Sequence, residues 1–166
     1  MSNRATLINK ATPDYADSDV DSGFLATKYS VAVFWPSLFT EECLRYLDHR
    51  EAGDGQLSRI PYLASRTEDA VARWRLRRKR FTRLSAKGWA AADAFDARLG
   101  TLSHPYLVLD TWEIWMMDAE RFDKFLLDSI AQSERGDLVA LIEQAHIRME
   151  EGREEVHQYM GFAWDT

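Results

Sequence analysis

The sequence predicts an α+β fold, a small sheet of about three strands packed by four to five helices. Three observations carry that expectation. Lys28–Trp35 and Tyr106–Met117 alternate with the two-residue period of strands. A long apolar seam of helical period runs from Ala70 to Leu99. The order of elements, β, β, α, long α, β, α, α, implies an α+β domain with a small sheet packed by helices.

Taken in order, Arg4–Asn9 is a short strand, expected in the sheet because its backbone groups need partners. The stretch 12–23 holds four Asp, a Pro, two Ser and a Gly, and is expected to be a mobile acidic loop. In Lys28–Trp35, Tyr29, Val31, Val33 and Trp35 face away from Ser30, Ala32 and Phe34, and Pro36 ends the strand. Thr40 is a good N-cap for a helix to Arg50, with Cys43, Leu44 and Leu47 as its apolar face. The stretch 51–61, with Gly53, Asp54, Gly55 and Pro61, reads as a loop.

Thr67 then caps a long helix, Thr67–Leu99, with Glu68 and Asp69 in the first turn, where they suit the helix dipole. Ala70, Trp74, Phe81, Leu84, Gly88, Ala92, Phe95 and Leu99 share one side of it. The seam keeps phase across Gly88, so one helix or two nearly collinear pieces are expected, at a cost of about 1 kcal/mol for the glycine. Arg77 lies in the middle of this seam, which predicts burial and an ion pair with Asp110 or Glu113. Tyr106–Met117 is apolar on both faces and therefore expected at the centre of the sheet. Asp118 caps a helix with Phe122, Phe125, Leu126 and Ile130 on one side. Gly136 separates it from a last helix, with Leu138, Leu141, Ile142, Ala145, Met149, Val156 and Met160 as its seam.

A chain of 166 residues fits one domain, 1–166, and can bury a core without a metal or disulfide staple. The one cysteine, Cys43, excludes an internal disulfide and suits a reducing compartment. Glu41 and Glu42 beside it disfavour the thiolate, so Cys43 reads as a core residue. The start of the chain lacks the apolar run of a secretory signal, and no window approaches the roughly 18 apolar residues of a membrane span. A cytoplasmic protein without membrane contact is the expectation, and the sequence sets no oligomeric state.

Charge is distributed unevenly. Arg73–Lys87 holds eight basic residues and no acidic one, leaving the remainder at −14 in a chain of net charge −6. Such polarity steers partners. On a continuous helix, Arg75, Lys79, Arg83 and Lys87 form one stripe, bordered by Arg73, Arg78 and Arg80. Like charges at this spacing cost about 0.2–0.5 kcal/mol per pair. Relief comes from the protein's own carboxylates, from an acidic protein, or from a polyanion. The pI of 5.2 weighs against nucleic acid, whose binding domains are usually basic.

Glu143-x-x-His146 and Glu154-x-x-His157 each match a ligand pair of di-iron bundles. Set eleven residues apart on one helix, they stand about 16 Å from each other and cannot share a metal. No metal or cofactor is expected. Glu143, His146, Glu150, Glu154, Glu155 and His157 form instead an acidic face suited to a protein partner. No Gly-rich phosphate loop, nucleophile elbow or Cys-x-x-Cys pair is present, so no catalytic set is assigned. Asp110 and Glu113 are the carboxylates placed for burial, and so the candidates for acid–base chemistry if there is any.

The opening Met-x-Asn-Arg, with Asn3 and Arg4, and the segment Leu109-Asp110-Thr111-Trp112-Glu113 resemble a group of small uncharacterised bacterial proteins. In its size, acidity and six Trp the chain is also similar to immunity proteins, which neutralise a toxin by covering its active site. The resemblance implies binding and supplies no catalytic residues. The leading expectation is therefore an immunity or antitoxin-type module whose acidic face meets a basic toxin domain. A nucleic-acid binder using the Arg75–Lys87 stripe comes second, and an enzyme built on Asp110 or Glu113 third.

Overall fold

A computed structural model describes residues 3–15, 23–50, 55, 57–144 and 156–163. In it the sheet is twice the expected size. Its strands are β1 (Arg4–Lys10), β2 (Gly23–Lys28), β3 (Leu44–Arg50), β4 (Leu57–Arg66), β5 (Tyr106–Asp110) and β6 (Phe162–Ala163). They pair antiparallel in the order β3-β4-β5-β1-β2-β6, which corrects the prediction of about three strands.

Each added strand has a physical reason. Leu44 and Leu47 fit one helical face by spacing, yet in β3 they lie on opposite sides of the sheet. Leu44 packs on the main core, and Leu47 packs with Tyr62, Ala64 and Val108 on the other face. So Thr40 caps only a short 3₁₀ turn, Glu41–Cys43, and no helix runs to Arg50. Pro61 marked a loop, but it sits inside β4. There β4 pairs with β3 alone, because β5 joins it only from Leu63 to Arg66, and a missing N–H is tolerated at such an edge-like position.

The expected strand Lys28–Trp35 is also corrected. β2 ends at Lys28, and Val31 to Trp35 are buried one after another as the chain passes through the core into a 3₁₀ turn, Trp35–Leu38. Two of their amides reach the segment around Gln158, Val33 N–H donating to Gln158 O at 3.2 Å and Phe34 N–H to Tyr159 O at 2.9 Å, while Trp35 N–H turns back to Ala32 O at 3.0 Å. The strand expected over Tyr106–Met117 stops at Asp110, whose Oδ1 accepts from Trp112 N–H at 2.9 Å and opens a short helix, α3 (Trp112–Trp115). Its central place between β4 and β1 agrees with the apolar character of both its faces. Leu107 and Leu109 enter the main core, and Val108 packs on the opposite side, where Tyr15 also lies.

The single helix Thr67–Leu99 is two, α1 (Thr67–Arg78) and α2 (Ala86–Leu99). The chain turns between them, with Arg83 at φ 62° and Ser85 capping α2 by accepting from Gly88 N–H at 3.0 Å. Ion pairs Arg78–Asp93 and Arg75–Asp96 step in opposite senses along the two helices, so the helices run antiparallel as a hairpin. The apolar seam nevertheless reads burial correctly, because Trp74, Phe81 and Phe95 meet across the hairpin with Phe34. Thr67 does not cap α1. Its hydroxyl donates to His104 O at 2.7 Å and accepts from Asn9 Nδ2 at 3.1 Å, which pins the helix start to the end of β1.

The remaining helices are α4 (Phe122–Arg135), α5 (Leu138–Gln144) and α6 (Val156–Met160). Asp118 does not cap α4, which is flanked by Arg121. The predicted last helix is described only at its two ends, since 145–155 lie outside the described residues, as do 16–22 of the expected acidic loop. Gly136 does separate α4 from α5, in the left-handed conformation at φ 75°. A Cβ there would stand 2.5 Å from the backbone oxygen of Arg80. Gly136→Ala should therefore add about 1–2 kcal/mol of backbone strain to that clash. The expected drop in melting temperature is roughly 5 °C or more, and an unchanged melting curve would contradict this account of the turn.

Arg77 is 5% exposed, as its place in the seam predicts. Its partner is neither Asp110 nor Glu113. Nη2 meets Glu134 Oε1 at 2.6 Å, and Nη1 donates to the carbonyls of Pro36, Ser37 and Phe39 at 3.2, 3.2 and 2.6 Å. One guanidinium thus ties α1, the 3₁₀ turn and α4 together. Burial pulls it below the usual arginine range, and the Glu134 carboxylate opposes that pull.

Candidate interaction surfaces

The basic run is largely satisfied within the protein. Arg73 donates to Leu38 O and Ser65 Oγ at 3.0 and 2.8 Å, and Arg80 donates to Glu134 O at 3.0 Å. Arg75 and Arg78 pair with Asp96 and Asp93 across the hairpin, and Arg77 is in the core. Lys79 and Arg83 are exposed and have no ion-pair partner among the described residues. Because the chain turns after α1, Arg83 and Lys87 do not continue the stripe begun by Arg75 and Lys79. The six residues expected to hold an anion, Arg73, Arg75, Lys79, Arg80, Arg83 and Lys87, are therefore not brought to one face as a helical stripe.

On the acidic face, Glu143 and His157 are exposed. His146, Glu150, Glu154 and Glu155 lie outside the described residues. The two buried-carboxylate candidates serve the backbone. Asp110 holds the start of α3, and Glu113 Oε2 accepts from Arg4 N–H at 2.8 Å. No group of His, Cys, Asp and Glu among the described residues is arranged to hold a metal ion, and no helix there is long and apolar enough to cross a membrane.

Along β3, Tyr46 donates to Asp123 Oδ2 at 2.7 Å and lies under the Arg59 guanidinium at 4.3 Å. That hydrogen bond to a carboxylate raises the Tyr46 hydroxyl above the ordinary phenol pKa. These contacts brace the edge of the sheet against α4.

A different surface lies where β2 ends. Tyr29 has φ 64°, a left-handed conformation rare for an aromatic residue, and its side chain is 64% exposed. Its amide donates to Asn3 O at 2.7 Å, which fixes the turn. Beside it is a hollow of about 250 Å³ lined by Ile114, Met117, Phe122 and Phe125, with Asp118 and Arg121 at the rim. Met116 and Met117 are 61% and 53% exposed. This site is not legible in the sequence, where Tyr29 and Met117 both fall in stretches of strand-like alternation. That alternation carries no information about a turn at Lys28 or at Asp110.

No family model, curated protein or solved structure matches this chain.

Proposed function

We propose that this protein acts by binding another protein, and that the hollow beside Tyr29 receives an apolar side chain of that partner. The observation that carries the reading is Tyr29 itself. A left-handed non-glycine residue costs on the order of 1–3 kcal/mol, and such strain concentrates at ligand clamps and switch regions. Here the strained residue holds an exposed aromatic ring over a preformed apolar hollow. The exposed Met117 lines it, a side chain that repacks readily against a partner. Asp118 and Arg121 supply a polar rim, the anatomy of an interface hot spot.

The immunity-type form of this function, neutralisation by covering a partner's working surface, asks for such a patch and for no catalytic set. The net charge of −6 suits a basic partner, whose approach it would accelerate. The nucleic-acid reading has less support, since most of the basic run is engaged internally. The enzymatic reading has less too, since Asp110 and Glu113 both cap backbone amides.

The test combines binding and stability. Affinity capture from the native host with wild-type protein should yield a stoichiometric protein partner. Tyr29→Gly should weaken that complex by about 30-fold, the effect of losing a hot-spot side chain. The same substitution should leave the melting temperature unchanged or raise it, because glycine relieves the left-handed strain. A partner held equally by wild type and Tyr29→Gly would remove the hollow from the interface.

A further inference from the structure

Arg75 lines two neighbouring hollows that follow one another along α1, a groove interrupted where its side chain pairs with Asp96. One end, of about 720 Å³, is bounded by Arg66, Glu68 and His104 over a floor of Val71, Leu99 and Leu102. The other, of about 440 Å³, is bounded by Arg78, Lys79, Trp89 and Asp96. From Arg66 to Lys79 the groove follows α1 for about 20 Å, the length of roughly six extended residues.

We infer that this groove binds an extended acidic segment of a partner protein, with apolar side chains set between its carboxylates. Charge complementarity is the first reason. Lys79 has no ion-pair partner among the described residues. Arg66 and Arg75 are paired, to Glu68 and Asp96, yet their side chains remain 60% and 56% exposed. A guanidinium with five donors can accept a second carboxylate on its open side. The floor is the second reason: Val71, Leu99 and Leu102 offer apolar contact. Trp89, 39% exposed, stands at the far end as an aromatic anchor.

Carboxylates in the groove decide between acidic peptide and nucleic acid. Glu68 and Asp96 line it, and Asp93 pairs with Arg78 beside it. A nucleic-acid strand carries a phosphate on every nucleotide and would set several against these groups. A peptide can place its few carboxylates opposite Lys79, Arg75 and Arg66 and its apolar residues between them. The groove is built on different elements from the Tyr29 hollow, so neither site depends on the other.

The experiment is selection of a random peptide library displayed on phage, with wild-type protein as bait and the double variant Lys79→Glu/Trp89→Ala as counter-bait. Enriched sequences should carry Asp or Glu interspersed with apolar residues. A synthetic peptide of the enriched sequence, followed by fluorescence anisotropy, should bind each single variant at least roughly tenfold more weakly than wild type. It should bind Tyr29→Gly as tightly as wild type. Thermal melts establish that the variants are folded, and Lys79→Gln with Trp89→Leu replaces the double variant if it melts early. No enrichment over the counter-bait, or enrichment without acidic bias, overturns the inference. So does tighter binding of oligodeoxythymidine than of the selected peptide, if it is lost in the same variants; the groove would then belong to single-stranded nucleic acid.

Discussion

Arg77→Ala should lower the melting temperature by on the order of 10 °C, while Lys79→Ala, two residues on, should barely move it. Arg77 is the buried member of a pair whose other side is half exposed, so removing it costs on the order of 3 kcal/mol, the low end for a buried pair, and each kcal/mol is worth roughly 2–4 °C in a chain of this size. The loss reaches beyond the pair. Arg77 is 5% exposed and supplies donors to the carbonyls of Pro36, Ser37 and Phe39 as well as to Glu134. Alanine leaves the carbonyls of Ser37 and Phe39 without this donor, while Pro36 O keeps the Phe39 N–H, and an unsatisfied buried group costs about 1–3 kcal/mol. Glu134→Ala should cost far less, because the Glu134 side chain is 47% exposed and its charge is screened by water. Arg77→Lys should recover only part of the loss, since one ammonium cannot span acceptors on two elements. The Lys79 control is an exposed residue, where substitutions usually stay within about 0.5 kcal/mol. Similar small shifts for Arg77→Ala and Lys79→Ala would show that the buried guanidinium does not hold α1, the 3₁₀ turn and α4 together.

Arg77 also shows what the sequence could and could not reveal. Its burial followed from a cation placed among Ala70, Trp74 and Phe81 at helical spacing, and that local pattern survives in the structure. Its partner did not follow, because Glu134 lies on a helix whose packing against α1 depends on the whole chain path. The same division runs through the fold. Periodicity identified Trp74, Phe95 and Leu99 as core residues, but it is blind to the reversal at Arg83 that turns one predicted helix into a hairpin. β3 reads as a helix in sequence because edge-strand residues with one leucine on each face imitate a short amphipathic helix. β4 reads as a loop in sequence because Pro61 usually marks one, and here it occupies a site with a strand on one side only.

The candidate surfaces were less legible than the fold. The groove assembles Arg66, Arg75 and Lys79 from α1 with Trp89 from α2 and His104 from the following loop, a set that exists only once the hairpin has closed. The basic run points to α1 but leaves open whether its relief lies within the protein; Asp93 and Asp96 pair with Arg78 and Arg75 there. Tyr29 gave no signal at all, since a left-handed backbone at an aromatic residue is imposed by the turn after β2 and by the Asn3 carbonyl.

Trp74→Ala is the second substitution expected to have a large effect, and it tests whether the hairpin is held by its aromatic centre. Trp74 is fully buried, with ring centroids of Phe95, Phe34 and Phe81 at 4.8, 5.0 and 5.8 Å. Truncating a buried tryptophan costs about 3–5 kcal/mol, so the melting temperature should again fall by on the order of 10 °C. The polar part of the indole contributes less. Nε1 donates to Asp96 Oδ1 at 3.1 Å, but the same oxygen also accepts from Arg75, so its loss orphans no acceptor. Trp74→Phe should therefore keep most of the stability, by retaining an aromatic contact with Phe34 and Phe95. Trp89→Ala provides the comparison, since Trp89 is an exposed residue at 39% on the same hairpin and belongs to the groove. Thermal melts followed by circular dichroism should rank Trp74→Ala well below Trp74→Phe, and Trp74→Phe near Trp89→Ala. If Trp74→Ala and Trp89→Ala melted together, the α1–α2 hairpin would have to be held by its surface ion pairs, Arg75–Asp96 and Arg78–Asp93, and their removal rather than the loss of the ring would then open it.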